Sequence, residues 1–183
     1  MWENVAYMQH TTNHEESAMF QKSRAQKRVE REAFSAAEVA NTFLELAKQS
    51  HKHLSNLQLQ KLVYIAYGFH LAALGKRLFH DKIEAWPLGP VIPNLYHELK
   101  RYGWGEVTAP IDHAGPIPGD DPAHVIVEGV WESYGDFSAE QLSSMTHQDG
   151  TPWAASWKEG ERHTPITDDL IRTHYQRLLK NER

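Results

Sequence analysis

The stretch from Ser55 to Gly75, SNLQLQKLVYIAYGFHLAALG, limits the fold more than any other part of the chain. Ser55 and Gln58 have the spacing of a capping box, in which each side chain satisfies the other residue's exposed amide and a helix begins. Leu59, Leu62, Val63, Ala66, Phe69 and Leu74 then fall on or near one helical face. Leu57, Ile65 and Leu71 widen that surface until little of the helix can face water. A helix apolar nearly all round lies in the middle of its domain, with the other elements packed about it. Gly68 in its interior costs about 1 kcal/mol against alanine, which predicts the close approach of another backbone. Gly75 stands where a left-handed residue ends the helix.

The flanking segments read as cover for this helix. Ser35 with Glu38 is a second capping box, opening an amphipathic helix through Val39, Phe43, Leu46 and Ala47 to Gln49. Beyond Gly75, Lys76 to Trp86 reads as two extended pieces about a turn at His80-Asp81. Leu78, Phe79, Ile83 and Trp86 are their buried positions, and the pieces pair as a short hairpin. Pro87, Gly89, Pro90 and Pro93 argue against regular structure in the next turn. Pro93 opens a helix to Arg101 with Leu95, Tyr96 and Leu99 facing the core, and Gly103 ends it. Pro110, Pro116 and Pro118 mark a surface loop between Gly105 and Gly119.

Residues 121–135 carry a conflict. The run HVIVEGVW is rich in β-branched residues and favours a strand. Asp121-Pro122, however, is an N-cap followed by a first-turn proline. Val127, Val130, Trp131 and Tyr134 follow on one helical face, and Gly135 stands at a C-terminal stop. Helix is the reading. Ser138 with Gln141, Thr151-Pro152 and Thr167 open three more helices, carrying Leu142 and Met145, Trp153 and Trp157, and Leu170 through Leu179. The fold class is therefore mainly α, of α+β type: a compact multi-helix domain around one buried central helix, with a short β-hairpin.

Two regions differ in character. Residues 1–33 read as an N-terminal extension: acids and bases interleave from Glu15 to Arg31, and Met19, Phe20 and Val29 are too few to bury a core. It reads either as a tail or upstream start, or as a flexible arm that orders on a partner through residues such as Met19, Phe20, Arg24 and Arg28. Residues 34–183 hold the domain.

Composition excludes several functions. A net charge of −5 argues against a protein that coats nucleic acid, so Lys76-Arg77, Lys100-Arg101 and the Arg172, Arg177, Lys180, Arg183 set read as a solvated face. With no cysteine there is no disulfide, no thiolate metal site and no Cys nucleophile, which fits a cytoplasmic location. No run of about eighteen apolar residues spans a membrane, and the N-terminus lacks the pattern of a signal peptide. Twelve histidines suggest a metal, but neither His10 with His14 nor His51 with His53 has a third ligand at a recognisable spacing. No metal or cofactor is expected. The motifs of nucleotide binding and acyl transfer are absent, and His97-Glu98 or His147 with Asp149 is too little for a catalytic set. Six tryptophans and seven tyrosines remain, several in Pro- or Gly-bounded turns (Trp86, Trp104, Trp153). They are either gap fillers or hot spots for a protein partner.

The segment LQKLVYIAYGFHLAALGKRLFHDKIEAWPLGPVIPNLYHELKRYG resembles the core signature of the Panacea domain, found in SocA-type antitoxins and phage-associated proteins. Its parts are the Leu-Gln-Lys-Leu helix at Leu59, Gln60, Lys61 and Leu62, and the stop at Gly75. The Ile-Glu-Ala-Trp segment follows with Glu84 and Trp86, then Gly89-Pro90-Val91, then Leu95-Tyr96 with a basic end at Lys100. A second block matches at Thr146-His147 and Pro152-Trp153. The likeness runs from about Phe34 to Leu179, and residues 1–33 depart from the shortest members. The resemblance implies a non-enzymatic antitoxin of a toxin–antitoxin system that neutralises a neighbouring protein toxin by direct binding. The alternatives are a proteolytic adaptor that delivers the toxin to a protease, and an enzyme that reverses the toxin's modification through His97 or His147. Implied partners are the cognate toxin, a protease, and a second copy of the chain in a homodimer. The contact surface expected is the N-terminal extension with Trp86, Pro90 and Tyr96. The motif residues are expected mostly to hold the fold.

Overall fold

The computed structural model describes residues 33–161 and 163–181. The expected contacts Met19, Phe20, Arg24 and Arg28 lie outside them. In chain order the elements are α1 (Ala36–Gln49), α2 (Asn56–Leu74), β1 (Glu84–Trp86), β2 (Gly89–Val91), α3 (Pro93–Leu99), α4 (Pro122–Tyr134), α5 (Ala139–His147), α6 (Pro152–Ser156), β3 (Thr164–Pro165) and α7 (Asp168–Asn181). A single 3-10 turn, Lys100–Tyr102, extends α3.

The three capping boxes form as their spacing predicts, at Ser35/Glu38, Ser55/Gln58 and Ser138/Gln141. Gly75 closes α2 at φ 69, a left-handed conformation that glycine adopts without strain. Thirteen of the nineteen residues of α2 are buried, so no side of it faces water along most of its length. It packs against α7, α4, α5, α1, α3 and β2. Gly68 is what lets α7 come close: a Cβ there would lie 2.2 Å from the ring of Tyr175. The close approach is thus made by an aromatic ring, stacked edge-on to Tyr64 and Phe69, rather than by a backbone. Leu74, placed by periodicity with the core, is 45% exposed on the last turn.

Residues 122–134 are helical despite their β-branched run, with Asp121 accepting from the Ala123 amide at the cap. Gly135 follows as expected but for another reason. Its φ is −64, and a Cβ there would lie 2.5 Å from the Trp131 carbonyl, so it is small for packing and not for handedness.

A short hairpin forms, but not between the expected pieces and not about His80-Asp81. Glu84 pairs with Val91, Ala85 with Pro90 and Trp86 with Gly89, across a turn at Pro87-Leu88. The segment Gly89–Val91, which its proline and glycine seemed to bar from regular structure, is a strand. It lies at the edge of its sheet, where a proline costs no ladder bond. The earlier extended piece bridges elsewhere: Phe34 donates its amide to the Leu78 carbonyl at 2.9 Å, and Leu78 and Phe79 are fully buried. A third strand, β3, pairs with β1 on its other side, giving the order β2-β1-β3.

The proline-rich loop after α3 is not a free surface loop. Asn41 donates to the carbonyls of Ile111 and Ala114 and accepts from the Ile111 amide, while Thr42 accepts from the Ile117 amide. Ile111 and Ile117 are thereby held in the core. No helix among the described residues is long and apolar enough to cross a membrane.

Candidate functional site

The Leu-Gln-Lys-Leu segment is the second turn of α2, and its four side chains divide two ways. Leu59 and Leu62 are fully buried in the apolar core. Gln60 and Lys61, also buried, turn to the hairpin. Gln60 accepts from the Ile92 amide at 3.0 Å, and the Lys61 ammonium nitrogen donates to the Pro90 carbonyl at 2.8 Å. Together they grip the main chain of β2 and the residue after it. Both bonds are made to main-chain atoms, so they hold the segment through its backbone.

Gly89 is the complement of Lys61. It has φ 100, and a Cβ there would sit 2.8 Å from the lysine nitrogen and 3.3 Å from the Thr146 hydroxyl. Glycine is needed for the conformation and for the space. Lys61 has no carboxylate near it among the described residues, and burial lowers its pKa from 10.5 to about 7.

Two other elements hold the hairpin. Ser143 on α5 donates to the Leu88 carbonyl at 2.8 Å, and Trp153 on α6 donates its indole N–H to the Trp86 carbonyl at 2.8 Å. His147 packs its ring edge-on to Trp153 at 5.2 Å, with Nδ1 against the Ser143 carbonyl. The second motif block, distant in sequence, therefore meets the first at the hairpin. Just before β3, His163 places Nδ1 2.9 Å from Glu84 Oε2, the same oxygen that accepts the Trp86 indole N–H at 3.0 Å.

The outer side of this assembly is aromatic. Trp86 makes edge contacts with Tyr96 at 5.1 Å and His163 at 5.8 Å, and Trp153 stacks on Trp157 at 5.4 Å. These four tryptophan and tyrosine side chains are half-buried, and Leu88 at the tip of the turn is 46% exposed. Pro90 lies behind this surface, because β2 is buried along its whole length.

The expected acid–base partner of His97, Glu98, lies instead against His113 at 4.0 Å, and His97 stands exposed beside Tyr96. A recess of about 30 Å3 lined by Tyr64, Thr146, Thr151, His174 and Tyr175, among others, has room for a water molecule or two. Among the described residues no three His, Asp or Glu side chains cluster as a metal site. Gln60 and Lys61 are marked in the sequence only by their family pattern, whereas Trp86 and Trp153 also stand out as aromatic residues in turns. Ser143 and His163 carry no signal at all, since each acts on a backbone carbonyl or carboxylate far away in the chain.

Comparison with known proteins agrees with this geometry. The family described as antitoxin SocA-like, Panacea domain, matches residues 59–115, which contain the gripping residues of α2, the whole hairpin and α3. Antitoxin SocA of Caulobacter vibrioides (strain NA1000 / CB15N) is 33% identical over 127 residues, covering 64% of this chain and 68% of that protein. No solved structure matches. The chain belongs to the SocA-like family of Panacea-domain antitoxins.

Proposed function

We propose that this chain is an antitoxin that neutralises a protein toxin encoded beside it by direct binding, without chemistry. One observation carries the reading: a clamped hairpin displays half-buried Trp86, which meets Tyr96 of α3 and is bonded through its carbonyl to Trp153, stacked in turn on Trp157, beside an exposed Leu88. Large aromatic side chains held by their own hydrogen bonds lose little freedom on binding, and such residues dominate the energy of protein interfaces. Residues 34–183 act as the scaffold, and the 1–33 extension adds contacts through Met19, Phe20, Arg24 and Arg28.

The test is co-expression with the adjacent open reading frame under an inducible promoter, with the neighbour followed by blot. Rescue of growth at unchanged toxin level supports occlusion, while a falling toxin level points to delivery to a protease. The double variant Tyr96→Ala, Trp157→Ala remains folded with a cooperative transition at a lowered melting temperature, and loses rescue at a temperature where it is fully folded. Full rescue by that variant refutes the proposed surface.

A further inference from the structure

Trp104 lies past the C-terminal end of α3, whereas Trp86 and Tyr96 gather at its beginning. Its side chain is 77% exposed, more than any other large apolar residue noted in the described part of the chain. A scattered exposed leucine needs no explanation, but this tryptophan is held out by a built turn. The Gly103 amide donates to the Lys100 carbonyl at 3.1 Å, the Gly105 amide to the Tyr102 carbonyl at 2.8 Å, and the Val107 amide to the Leu54 carbonyl at 2.8 Å. Gly103 has φ 55, and a Cβ on Gly105 would lie 3.2 Å from the Tyr102 carbonyl. Gly103 is therefore required by its conformation, a side chain at Gly105 would be tight against the Tyr102 carbonyl, and the turn is tied at its far end to the residue before the α2 cap. The indole is presented on a stiff mount.

Beside it are two cations. The Arg101 guanidinium lies 5.0 Å from the Tyr102 ring centroid, with its nitrogen 3.1 Å from the Tyr102 hydroxyl. Lys100 is exposed, and neither cation meets a carboxylate among the described residues. Glu98 and Glu106, the acids nearest in sequence, lie instead against His113 and His53, so the two cations beside the tryptophan are left without an acidic partner there.

We infer that Lys100, Arg101 and Trp104 form a second attachment point for the protein toxin, taking an apolar pocket on the toxin that is rimmed by Asp and Glu side chains. This rests on the toxin-binding reading above and names the chemistry of the complementary surface. Tryptophan and arginine are the residue types enriched at binding hot spots, and rim charges act mainly on the association rate. A nucleic acid is the less suitable partner, because two cations on an acidic protein neutralise too few phosphates to hold it.

The experiment measures binding of the purified full-length chain to the purified product of the adjacent reading frame at two salt concentrations. Trp104→Ala, whose side chain makes few contacts to lose, keeps the wild-type melting temperature and weakens binding about tenfold or more. The pair Lys100→Glu, Arg101→Glu slows association and removes most of its salt dependence. If the wild type binds and Trp104→Ala binds equally well, the inference is wrong while the toxin-binding reading stands. If the wild type does not bind the neighbour, both fall. A short DNA duplex titrated in parallel that binds the wild type and not Trp104→Ala overturns the protein-partner assignment.

Discussion

Lys61 makes the folding stability of this domain depend on pH in a window where few other groups titrate. Its nitrogen is fully buried, bonded once, and shifted by burial from a pKa of 10.5 to about 7. The unfolded chain therefore holds a proton on Lys61 between pH 7 and 10.5 that the folded chain does not. Folded stability from this group is complete above pH 10.5 and is lost as pH falls toward 7, below which the full penalty applies. The whole effect is on the order of 5 kcal/mol, and its slope within the window is about 1.4 kcal/mol per pH unit. The buried Tyr64, Tyr67 and Tyr175 hydroxyls are pushed upward by desolvation and reduce stability only above about pH 10. His70 and His174, lowered by burial, act below about pH 6.5. Urea denaturation of wild type and Lys61→Met at half-unit steps from pH 7 to 9.5 isolates the lysine. The wild type gains stability with pH relative to the variant by about 2 kcal/mol or more across that range. Parallel pH profiles for the two proteins would refute the argument.

The glycines give a matched pair of outcomes. Gly68→Ala must displace the Tyr175 ring and costs about 1–3 kcal/mol, whereas Gly129→Ala in α4, with nothing within 4 Å, gains about 0.5–1 kcal/mol; thermal melts of both decide it. Trp153→Phe keeps a ring but deletes the bond to the Trp86 carbonyl, and loses about 1 kcal/mol with increased amide exchange confined to the hairpin. Asn41→Ala orphans one amide and two carbonyls of the 111–114 loop, and lowers stability by about 2–4 kcal/mol in chemical denaturation.

Which parts of this structure could be read in the sequence follows from the range of the forces involved. The capping boxes, the buried α2 and the helix at Pro122–Tyr134 are set by residues three or four apart, so spacing reveals them. The hairpin register is not local. Whether Gly89-Pro90-Val91 forms a strand depends on Lys61 and Gln60, some thirty residues earlier, reaching its backbone. Composition argues the other way, because proline and glycine there look like a break. The pairing of Phe34 with the Leu78–Phe79 piece, and of β3 with β1, likewise joins segments that carry no mark of each other. At the candidate site the tryptophans were visible as unusual residues in turns. Their assembly into one surface was not, because Trp153 meets Trp86 through an indole and a carbonyl sixty-seven positions apart.

Gln60, Lys61, Ser143 and Trp153 all seize the hairpin by its peptide groups. None of these four bonds reads the identity of the residue it holds. Outward-facing positions such as Leu88 are thereby released from the task of maintaining the fold, so mutations there can accumulate with little loss of stability. The clamp thus acts as a buffer that lets the outer face of the hairpin change while the domain beneath it keeps its shape.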